Sequence, residues 1–553
     1  MLGDLSLSAG LGFGRLASYG AFSSPLSFLS DGFETRAVRD VGKGGEVEFG
    51  EWFQGKAAFF GGLSYTFHKD LTAKIEYSSD IYNLERAYFD HRSPWNVGLA
   101  YQVNKSFSLG ASWLNGSKAA LSAHLTIDPM SPPNGPGLEL SPTPIQPFSG
   151  VKSFSKQKVT DLTNLRNVLQ VDGLKAVGIL IEGSNARIQI ENTTYRPYVQ
   201  ALGRTLQTAS RFLGDDIKTI SVEFVAKGLV LSSSTARRGD FEQLFLSTDS
   251  SDTQLDQLQI GDQKYLRSDF DKTQKISWKI EPYFDYSLFD PFAPFMGELG
   301  AKFALKYSFS SGTSIDGEIK KGLIGNFDAN YRASDSVLPR VRSDHPLYQK
   351  YGDPGLSRLT FTRLAKPTPS VYSRISAGYL EEMYAGMSGE VLWKPANQRL
   401  GLGIEINHVA KRDFDLRFGV QDYRITTGHA SVYYDFEQGF SAQLDAGRYL
   451  AGDYGATFSL TREFGNGWRM GGYFTLTNVP FEDFGEGSFD KGIFITIPFD
   501  WAAGRPSQQI SRVNIVPITR DGGARLRLKD RLYDIVKPAH KGAIYREAAR
   551  LWK

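Results

Sequence analysis

Cysteine is absent from the 553 residues of the chain, which excludes disulfide frameworks, thiolate metal sites and cysteine nucleophiles. Histidine is scarce, with seven copies, and no two of them have a metal-ligand spacing such as HxH or HExxH. No apolar run approaches the ~18 consecutive residues that a membrane-spanning helix needs. The chain therefore lacks the patterns of disulfide-stabilised proteins, zinc hydrolases and helical membrane proteins.

Catalytic motifs are missing as well. The sequence has no GxSxG, P-loop or GxGxxG motif in a context that supports catalysis or nucleotide binding. Glu381 and Glu382 are adjacent carboxylates in strand-like sequence, so they would point to opposite faces and could not share a proton. A net charge of +3 indicates no particular partner. We therefore expect a protein that is not an enzyme, with no catalytic, cofactor-binding or metal-binding residues and no nucleic-acid partner.

Aromatic residues and glycine are abundant instead, at 13% and 57 copies respectively. Much of the chain alternates between apolar and polar residues, which predicts β-strands. Residues 454–464 place Tyr, Ala, Phe and Leu on one face and Gly, Thr and Ser on the other, and residues 468–477 repeat the pattern after the turn Gly465–Gly467. Such segments run about 10–12 residues, longer than the ~5–6 typical of soluble sheets.

Long alternating strands are typical of transmembrane barrels, in which an apolar face contacts lipid and a polar face lines the lumen. Tight turns such as Pro395–Gln398 alternate with longer connections such as Ala410–Thr426, as short periplasmic turns and long outer loops do. These features favour a membrane barrel over a large soluble β-sandwich. The fold class is predicted to be mainly β: transmembrane antiparallel β-barrels, two in one chain, with a small periplasmic α/β domain between them.

The predicted α/β domain is marked by helical periodicity at Asp161–Leu169 and Tyr195–Leu213. An even number of barrel strands returns the chain to its starting side, so we expect this domain in the periplasm. About twelve strands are predicted in Lys275–Phe499, and six or seven in the first part of the chain, the seventh around Glu46–Phe53. The predicted divisions are a first barrel strand set (1–128), a Pro/Gly-rich linker (129–154), the α/β domain (155–246), a second linker (247–274), a second barrel (275–500) and a basic periplasmic tail (501–553).

Strand-like sequence begins at the first residues, and no signal segment precedes them. We expect the natural amino terminus, with a signal and one or more strands, to be missing from this chain, which would leave the first barrel incomplete. A single 18-stranded barrel with an α/β insertion is the alternative architecture. It predicts that Ala119–Asp128 pairs with Lys275–Tyr286.

Side chains on the inward faces of the predicted strands are candidate polymer contacts, because aromatic platforms and hydrogen-bonding groups together suit hydrated polysaccharides. The alternative is that lumen charges of both signs pair with one another and only hold the barrel in shape. The candidates are Arg374, Glu390, Glu405, Tyr433, Asp435, Asp445, Glu463, Arg469 and Tyr473.

The end of the chain is basic: residues 510–553 contain eleven Lys or Arg and four Asp or Glu. One interpretation is a solvated extension, which is the usual state of a charge run. The other is a periplasmic contact with an acidic polymer or a partner protein. The candidate basic contacts are Arg520, Arg525, Arg527, Lys529 and Arg531.

Several long stretches carry a family resemblance: LPRVRSD (Leu338–Asp344), GYLEEMYAGMSGEVLW (Gly378–Trp393), KRDFDLRFGVQDYRITTGHASVYYD (Lys411–Asp435), AGRYLAGDYGATFSLTREFGNGWRMGGYFTLTNVPFEDFGEGSFDKG (Ala446–Gly492), PITRDGGARL (Pro517–Leu526) and, more weakly, EYSSDIYNLERA (Glu76–Ala87). In these stretches the chain resembles the YjbH/GfcD family of exopolysaccharide and group 4 capsule outer-membrane proteins. The resemblance spans most of the chain. It implies two barrels joined by periplasmic α/β material, and it brings no catalytic residues.

The resemblance implies a Gram-negative outer-membrane location and a part in polysaccharide export. The first hypothesis is a non-enzymatic outer-membrane barrel protein that takes part in exopolysaccharide or capsule secretion or assembly. The second is a structural scaffold with plugged barrels that recruits periplasmic export partners, and the third is a barrel enzyme that modifies lipid or glycan. The expected partners are outer-membrane lipid, a polysaccharide, and periplasmic or lipoprotein components of the same export system.

Overall fold

The computed structural model describes residues 4–36, 52–68, 70–83, 90–134, 138–145, 160–246, 255–263, 275–288, 295–327, 337–484, 489–516 and 521–553. The chain forms two compact units, Met1–Ser131 and Pro132–Lys553. Large antiparallel sheets dominate both units, so the predicted mainly β class is confirmed. Within these described ranges, no helix is both long enough and apolar enough to cross a membrane.

Six strands in the first unit form one antiparallel sheet in which each strand pairs with its sequence neighbour. They are β1 (Asp4–Phe13), β2 (Ala57–His68), β3 (Leu71–Tyr77), β4 (Trp95–Asn104), β5 (Phe107–Leu114) and β6 (Lys118–Leu125). Six of the predicted strands are thus present. The seventh, predicted around Glu46–Phe53, falls mostly outside the described residues.

A smaller mixed sheet opens the described part of the second unit, with strand order β11-β10-β9-β8-β7. The β8–β9 pair is parallel and the other pairs are antiparallel. The elements are α1 (Leu162–Val171), β7 (Leu174–Glu182), β8 (Asn185–Asn192), α2 (Tyr198–Phe212), β9 (Thr219–Ala226), β10 (Leu229–Arg237), α3 (Arg238–Leu246) and β11 (Gln259–Gly261). The helical periodicity of the sequence predicts both α1 and α2. We call residues 160–261 the α/β region.

Thirteen strands then form one antiparallel meander in sequence order. They are β12 (Lys275–Leu288), β13 (Phe295–Ser310), β14 (Thr313–Gly325), β15 (Gly355–Thr368), β16 (Val371–Tyr379), β17 (Tyr384–Trp393), β18 (Leu400–Arg412), β19 (Val420–Asp435), β20 (Phe440–Arg448), β21 (Tyr454–Glu463), β22 (Arg469–Thr477), β23 (Asp490–Pro498) and β24 (Ile510–Ile515). Short helices lie in the connections: α4 (His345–Tyr351), α5 (Phe481–Phe484) and α6 (Phe499–Ala503).

The connections of this sheet differ between its two ends. At one end, which we call the turn end, residues 311–312, 369–370 and 436–439 join successive strands. At the other, the loop end, residues 326–354 and 478–489 make longer connections. These connections show the alternation of tight turns and longer loops that the sequence predicts, whereas the short 380–383 connection at the loop end and the long 499–509 connection at the turn end depart from it.

The two faces of the sheet differ in chemistry. One face, which we call the apolar face, exposes large hydrophobic side chains on every strand from β12 to β23; Trp278 is 65% exposed and Ile404 60%. The opposite face, which we call the polar face, carries buried Ser, Thr, Asn, Asp, Glu and Arg side chains. Alternation along each strand separates the two sets, because successive side chains point to opposite faces.

The predicted tail at 501–553 is wrong in two respects. It contains the thirteenth strand, β24, which pairs with β23; six residues that include Arg512 were too short and too polar to show the alternation. Residues 521–553, which we call the C-terminal segment, are not a solvated extension either. Their helices α7 (Leu532–Val536) and α8 (Lys541–Arg546) pack against other parts of the second unit, and Leu532, Val536 and Ile544 are fully buried.

One hydrophobic core joins three parts of the second unit. It contains Leu202 and Phe224 of the α/β region, Tyr372 of β16, and Leu532 and Ile544 of the C-terminal segment. Burial of apolar side chains is the main favourable term in folding. The α/β region, the turn end and the C-terminal segment are therefore held together as one packed body.

The choice between two barrels and a single 18-stranded barrel stays a prediction. The described pairs of β6 with β5 and of β12 with β13 fit both architectures. The pairs described for the 13-stranded sheet leave β12 and β24 as its edges. Closure of either sheet into a barrel therefore stays a prediction.

Candidate functional site

All nine candidate lumen residues lie on the polar face. Strand register pairs Arg374 with Glu390 and Glu390 with Glu405. It also pairs Glu463 with Arg469 at the turn end. The remaining four are Tyr433 and Asp435 on β19, Asp445 on β20 and Tyr473 on β22.

Arg374 is the centre of a buried network, and its side chain is 1% exposed. Its Nε donates to Glu390 Oε2 at 3.0 Å, and its two Nη atoms donate to Ser376 and Ser388. Its Nη2 also lies 3.8 Å from Glu405 Oε2. Charged groups lose solvation on burial and need such partners. The charges of both signs in this part of the polar face therefore pair with one another, as the alternative interpretation predicts, and a part in holding a barrel in shape stays a prediction.

Carboxylates on the polar face, including these two glutamates, also bind the C-terminal segment. Arg525 Nη1 lies 2.6 Å from Asp445 Oδ2, and Arg525 Nη2 lies 3.9 Å from Glu405 Oε1. Arg531 Nη2 lies 3.4 Å from the same Glu405 oxygen. The backbone N–H of Leu532, the first residue of α7, donates to both carboxylate oxygens of Glu390.

An aromatic contact continues this line of interactions toward the turn end. The rings of Tyr433 and Tyr533 stack with centroids 3.8 Å apart and an interplanar angle of 12°. Tyr533 Oη donates to Asp435 Oδ1 at 3.3 Å, and Lys537 Nζ lies 3.2 Å from the same oxygen. Tyr433 and Asp435 thus have partners within the chain itself.

At the turn end, Arg196 joins the α/β region to the sheet and the C-terminal segment. Its guanidinium contacts Asp500 of α6 at 3.1 Å and Glu547 at 2.5 Å, and it lies 4.0 Å from Glu463. Glu463 also accepts from Arg546 at 2.5 Å. Burial raises the pKa of Glu547, and the Arg196 charge partly offsets this effect.

His540 is enclosed at the same end. Its Nε2 is 3.4 Å from Tyr372 Oη, which donates to the backbone oxygen of Leu231 in the α/β region. Burial lowers the pKa of His540 well below its usual value, and the nearby Lys394 and Lys366 charges lower it further. The imidazole is therefore neutral near pH 7.

At the loop end, two of the motif stretches meet. Asp521 Oδ1 accepts from the backbone N–H groups of Arg342 and Ser343, and Asp521 Oδ2 accepts from Ser343 Oγ at 2.7 Å. The Arg342 side chain donates to Glu381 and to the backbone oxygen of Arg525. Arg342 and Asp521 are not among the site residues that the sequence predicts, although each lies in one of the stretches that carry the resemblance.

The five candidate basic contacts have different positions. Arg525 and Arg531 bind polar-face carboxylates, as described. Lys529 Nζ lies 3.8 Å from Asp316 on β14, and its side chain is about half exposed. Arg527 is exposed, and Arg520 lies outside the described residues. A role of these residues in contacting another molecule stays a prediction.

The contacts of the C-terminal segment extend from one end of the sheet to the other. Asp521 is held at the loop end, Arg525 and Arg531 in the middle of the polar face, and Arg546 at the turn end. Beyond this, Arg204 of α2 donates to the backbone oxygen of Lys553. The segment crosses the polar face from the loop end to the turn end and ends against the α/β region.

A cleft lies beside the segment. A cleft of ≈ 310 Å³ lies between strands β14–β16 and residues 528–530, and Asp316, Arg358, Arg374 and Lys529 contribute to its lining. Within the part of the chain that the structure describes, no three His, Asp or Glu side chains are placed to hold a metal ion. Six of the nine predicted side chains contact the C-terminal segment, and we call them its seat: Glu390, Glu405, Tyr433, Asp435, Asp445 and Glu463.

The fold and the site define a mainly β protein whose large antiparallel sheet has one exposed apolar face and one polar face covered by the end of its own chain. Residues 1–538 match the YjbH family model, described as exopolysaccharide biosynthesis protein YbjH. The chain belongs to this family, as the resemblance predicted. It is also 27% identical to the uncharacterized lipoprotein YjbH of Escherichia coli (strain K12), over 96% of this chain and 78% of that protein. The chain is accordingly an exopolysaccharide-related protein.

Proposed function

We propose that the protein is a non-enzymatic outer-membrane β-barrel protein that takes part in exopolysaccharide secretion or assembly. The apolar face supports a membrane location, because monomeric soluble proteins rarely expose large contiguous apolar patches. Trp278, Ile375, Met387, Ile406 and Ile493 are each more than half exposed on this face. In a bilayer, these side chains would contact lipid, as the outward residues of transmembrane barrels do.

We propose further that the second unit acts as a plugged scaffold rather than an open conduit. The observation that carries this proposal is the C-terminal segment across the polar face. A polymer moving along this face would have to displace the Arg525–Asp445 ion pair, the Tyr433–Tyr533 stack and the contact of Leu532 with Glu390. Each of these contacts is shielded from solvent, so displacement of the whole segment would be costly.

The scaffold presents the α/β region at the turn end. Lys366 Nζ and Tyr372 Oη donate to backbone oxygens of β10, and Asp262 accepts from Ser370 and from the backbone of Ala396. In an outer-membrane barrel, tight turns face the periplasm. The α/β region would therefore stand in the periplasm, where it could recruit components of the export system. The relative from Escherichia coli is named a lipoprotein, which supports an envelope location for this chain as well.

The test is a deletion strain complemented with the full chain or with Arg525→Ala, which loosens the segment. Polysaccharide is quantified at the cell surface and in the periplasm. Loss of surface polymer on deletion and its recovery with the full chain are expected. Unchanged polymer in both compartments would overturn the role in secretion.

The scaffold and conduit models are separated by conductance in planar bilayers. The plugged scaffold predicts little ion conductance for the full chain and an increase for Arg525→Ala. Arg417→Ala, at an exposed loop position, is the matched control and should conduct as the full chain does. A large steady conductance of the full chain would favour a conduit.

A further inference from the structure

A cluster of basic side chains interrupts the apolar face at the loop end of strands β18–β20. His408 and Arg424 are exposed, and Arg448 is half-buried. Next to them, toward the middle of the sheet, Ile404 and Ile406 are 60% and 59% exposed. The apolar face thus passes from aliphatic side chains to basic ones over a few residues.

The three basic residues surround Thr426 of β19. His408 Nδ1 lies 2.9 Å from Thr426 Oγ1, and Arg448 Nη1 donates to the Thr426 backbone oxygen at 3.5 Å. Arg424 precedes Thr426 by two residues on the same strand, so its Cα lies on the same face about 7 Å away. We call His408, Arg424, Thr426 and Arg448 the Thr426 cluster.

No carboxylate of the described residues forms an ion pair with the cluster. Among the described residues, none of its three basic side chains forms an ion pair; Arg448 instead lies over the Tyr454 ring, 5.5 Å from its centroid. Asp422 is exposed on the same strand, two residues beyond Arg424, and it makes no ion pair within the described ranges. A guanidinium cannot lose its proton, so two positive charges that have no ion-pair partner among the described residues lie beside an apolar surface.

We infer that the Thr426 cluster binds the phosphate group of a membrane lipid whose acyl chains lie against Ile404 and Ile406. Arginine matches phosphate oxygens with paired N–H donors, and the cluster stands where the apolar surface ends. The inference rests on the proposed membrane location. Long loops of outer-membrane barrels face outward, so in the proposed orientation the cluster lies in the outer leaflet. The expected ligand is therefore lipid A, a phosphorylated glycolipid.

The test uses the full chain purified from outer membranes and placed in phosphatidylcholine nanodiscs. Thermal stability is measured with lipid A, with dephosphorylated lipid A and with inorganic phosphate alone. The expected result is a rise in Tm with lipid A only. Arg424→Gln combined with Arg448→Gln should weaken the apparent lipid A affinity at least tenfold. If this double variant fails to assemble, Arg424→Gln alone, at an exposed position, should also weaken the apparent lipid A affinity.

Arg462→Gln is the matched control. Arg462 is exposed on the same face near the turn end, where its guanidinium lies 5.0 Å and 4.9 Å from the Phe440 and Phe464 ring centroids, and this variant should keep the lipid A response. Equal responses to lipid A in the double variant and the full chain, or an equal response to inorganic phosphate, would overturn the inference and leave the membrane location standing. A full chain absent from the outer-membrane fraction would overturn both.

Discussion

Arg525 and Asp445 are 80 residues apart in sequence, yet Arg525 Nη1 lies 2.6 Å from Asp445 Oδ2 on the polar face. The Asp445 side chain is 2% exposed and also accepts from Gln443 at 2.7 Å. Through this pair the C-terminal segment supplies the charge that a buried carboxylate needs. The sheet and the segment are therefore complementary parts of one structure.

Removing one member of this pair should destabilise the second unit. Arg525→Gln leaves Asp445 buried without its cation, and we expect a loss of about 2–4 kcal/mol in the free energy of unfolding, measured by chemical denaturation in detergent. Asp445→Asn combined with Arg525→Gln should lose less than the two single variants together, because neither charge is then left unpaired. Additive losses would show that the pair makes no mutual contribution.

Gly203 provides a test of where the C-terminal segment ends. A Cβ at this position of α2 would lie 1.5 Å from the Leu551 backbone oxygen. Gly203→Ala should lower the Tm, although alanine is normally the better helix former by about 1 kcal/mol. Gly239→Ala in α3, where nothing lies within 4 Å of the added Cβ, should be neutral or stabilising. A stabilising Gly203→Ala would contradict the contact.

Arg196 is expected to hold the α/β region to the turn end. Arg196→Ala removes the shared partner of Asp500 and Glu547 and should make this region more susceptible to limited proteolysis. Arg211→Ala, at an exposed position of α2, should leave the digestion pattern unchanged. Identical patterns for the two variants would indicate that the ion pairs of Arg196 do not hold the region in place.

His540 should make stability depend on pH. Its pKa is lowered in the folded protein, so the unfolded chain binds a proton that the folded chain does not. The contribution of neutral His540 to the free energy of unfolding is therefore complete above its pKa of about 6.5 in the unfolded chain. As the pH falls below this value, the free energy of unfolding decreases by up to about 1.4 kcal/mol per pH unit. His540→Asn should flatten the dependence of the unfolding free energy between pH 7 and pH 5. An unchanged slope would exclude His540 as its source.

Much of the fold could be predicted because the long strands show a clear alternation of apolar and polar residues. In β21, alternation of Phe458 and Leu460 with Thr457 and Ser459 was enough to assign the strand and both of its faces. The short strand β24 lacks this signal. Its six residues form a strand because they pair with β23. A tertiary contact of this kind produces no regular alternation of apolar and polar residues in the sequence.

The seat of the C-terminal segment was only half predictable. The alternation of the strands places the carboxylates on the correct face. The composition of the basic end of the chain, however, does not distinguish a solvated segment from a buried one. Its partners are remote: Leu532 binds Glu390 over 142 residues and Arg546 binds Glu463 over 83. The predicted inward faces carry an excess of acidic residues, and the end of the chain carries an excess of basic residues. This opposite charge was the one feature of the sequence that could have predicted the contact between the two.

The most direct test of the plugged scaffold is a cysteine cross-link between positions 433 and 533. The chain has no cysteine, and the Tyr433 and Tyr533 ring centroids are 3.8 Å apart, so thiols placed there by Tyr433→Cys and Tyr533→Cys lie within reach of a short bismaleimide. We predict that, in isolated outer membranes, the bismaleimide cross-links the doubly substituted chain internally, seen as a shift in gel mobility that neither single variant shows. A doubly substituted chain that is labelled at both thiols but not cross-linked would contradict the account.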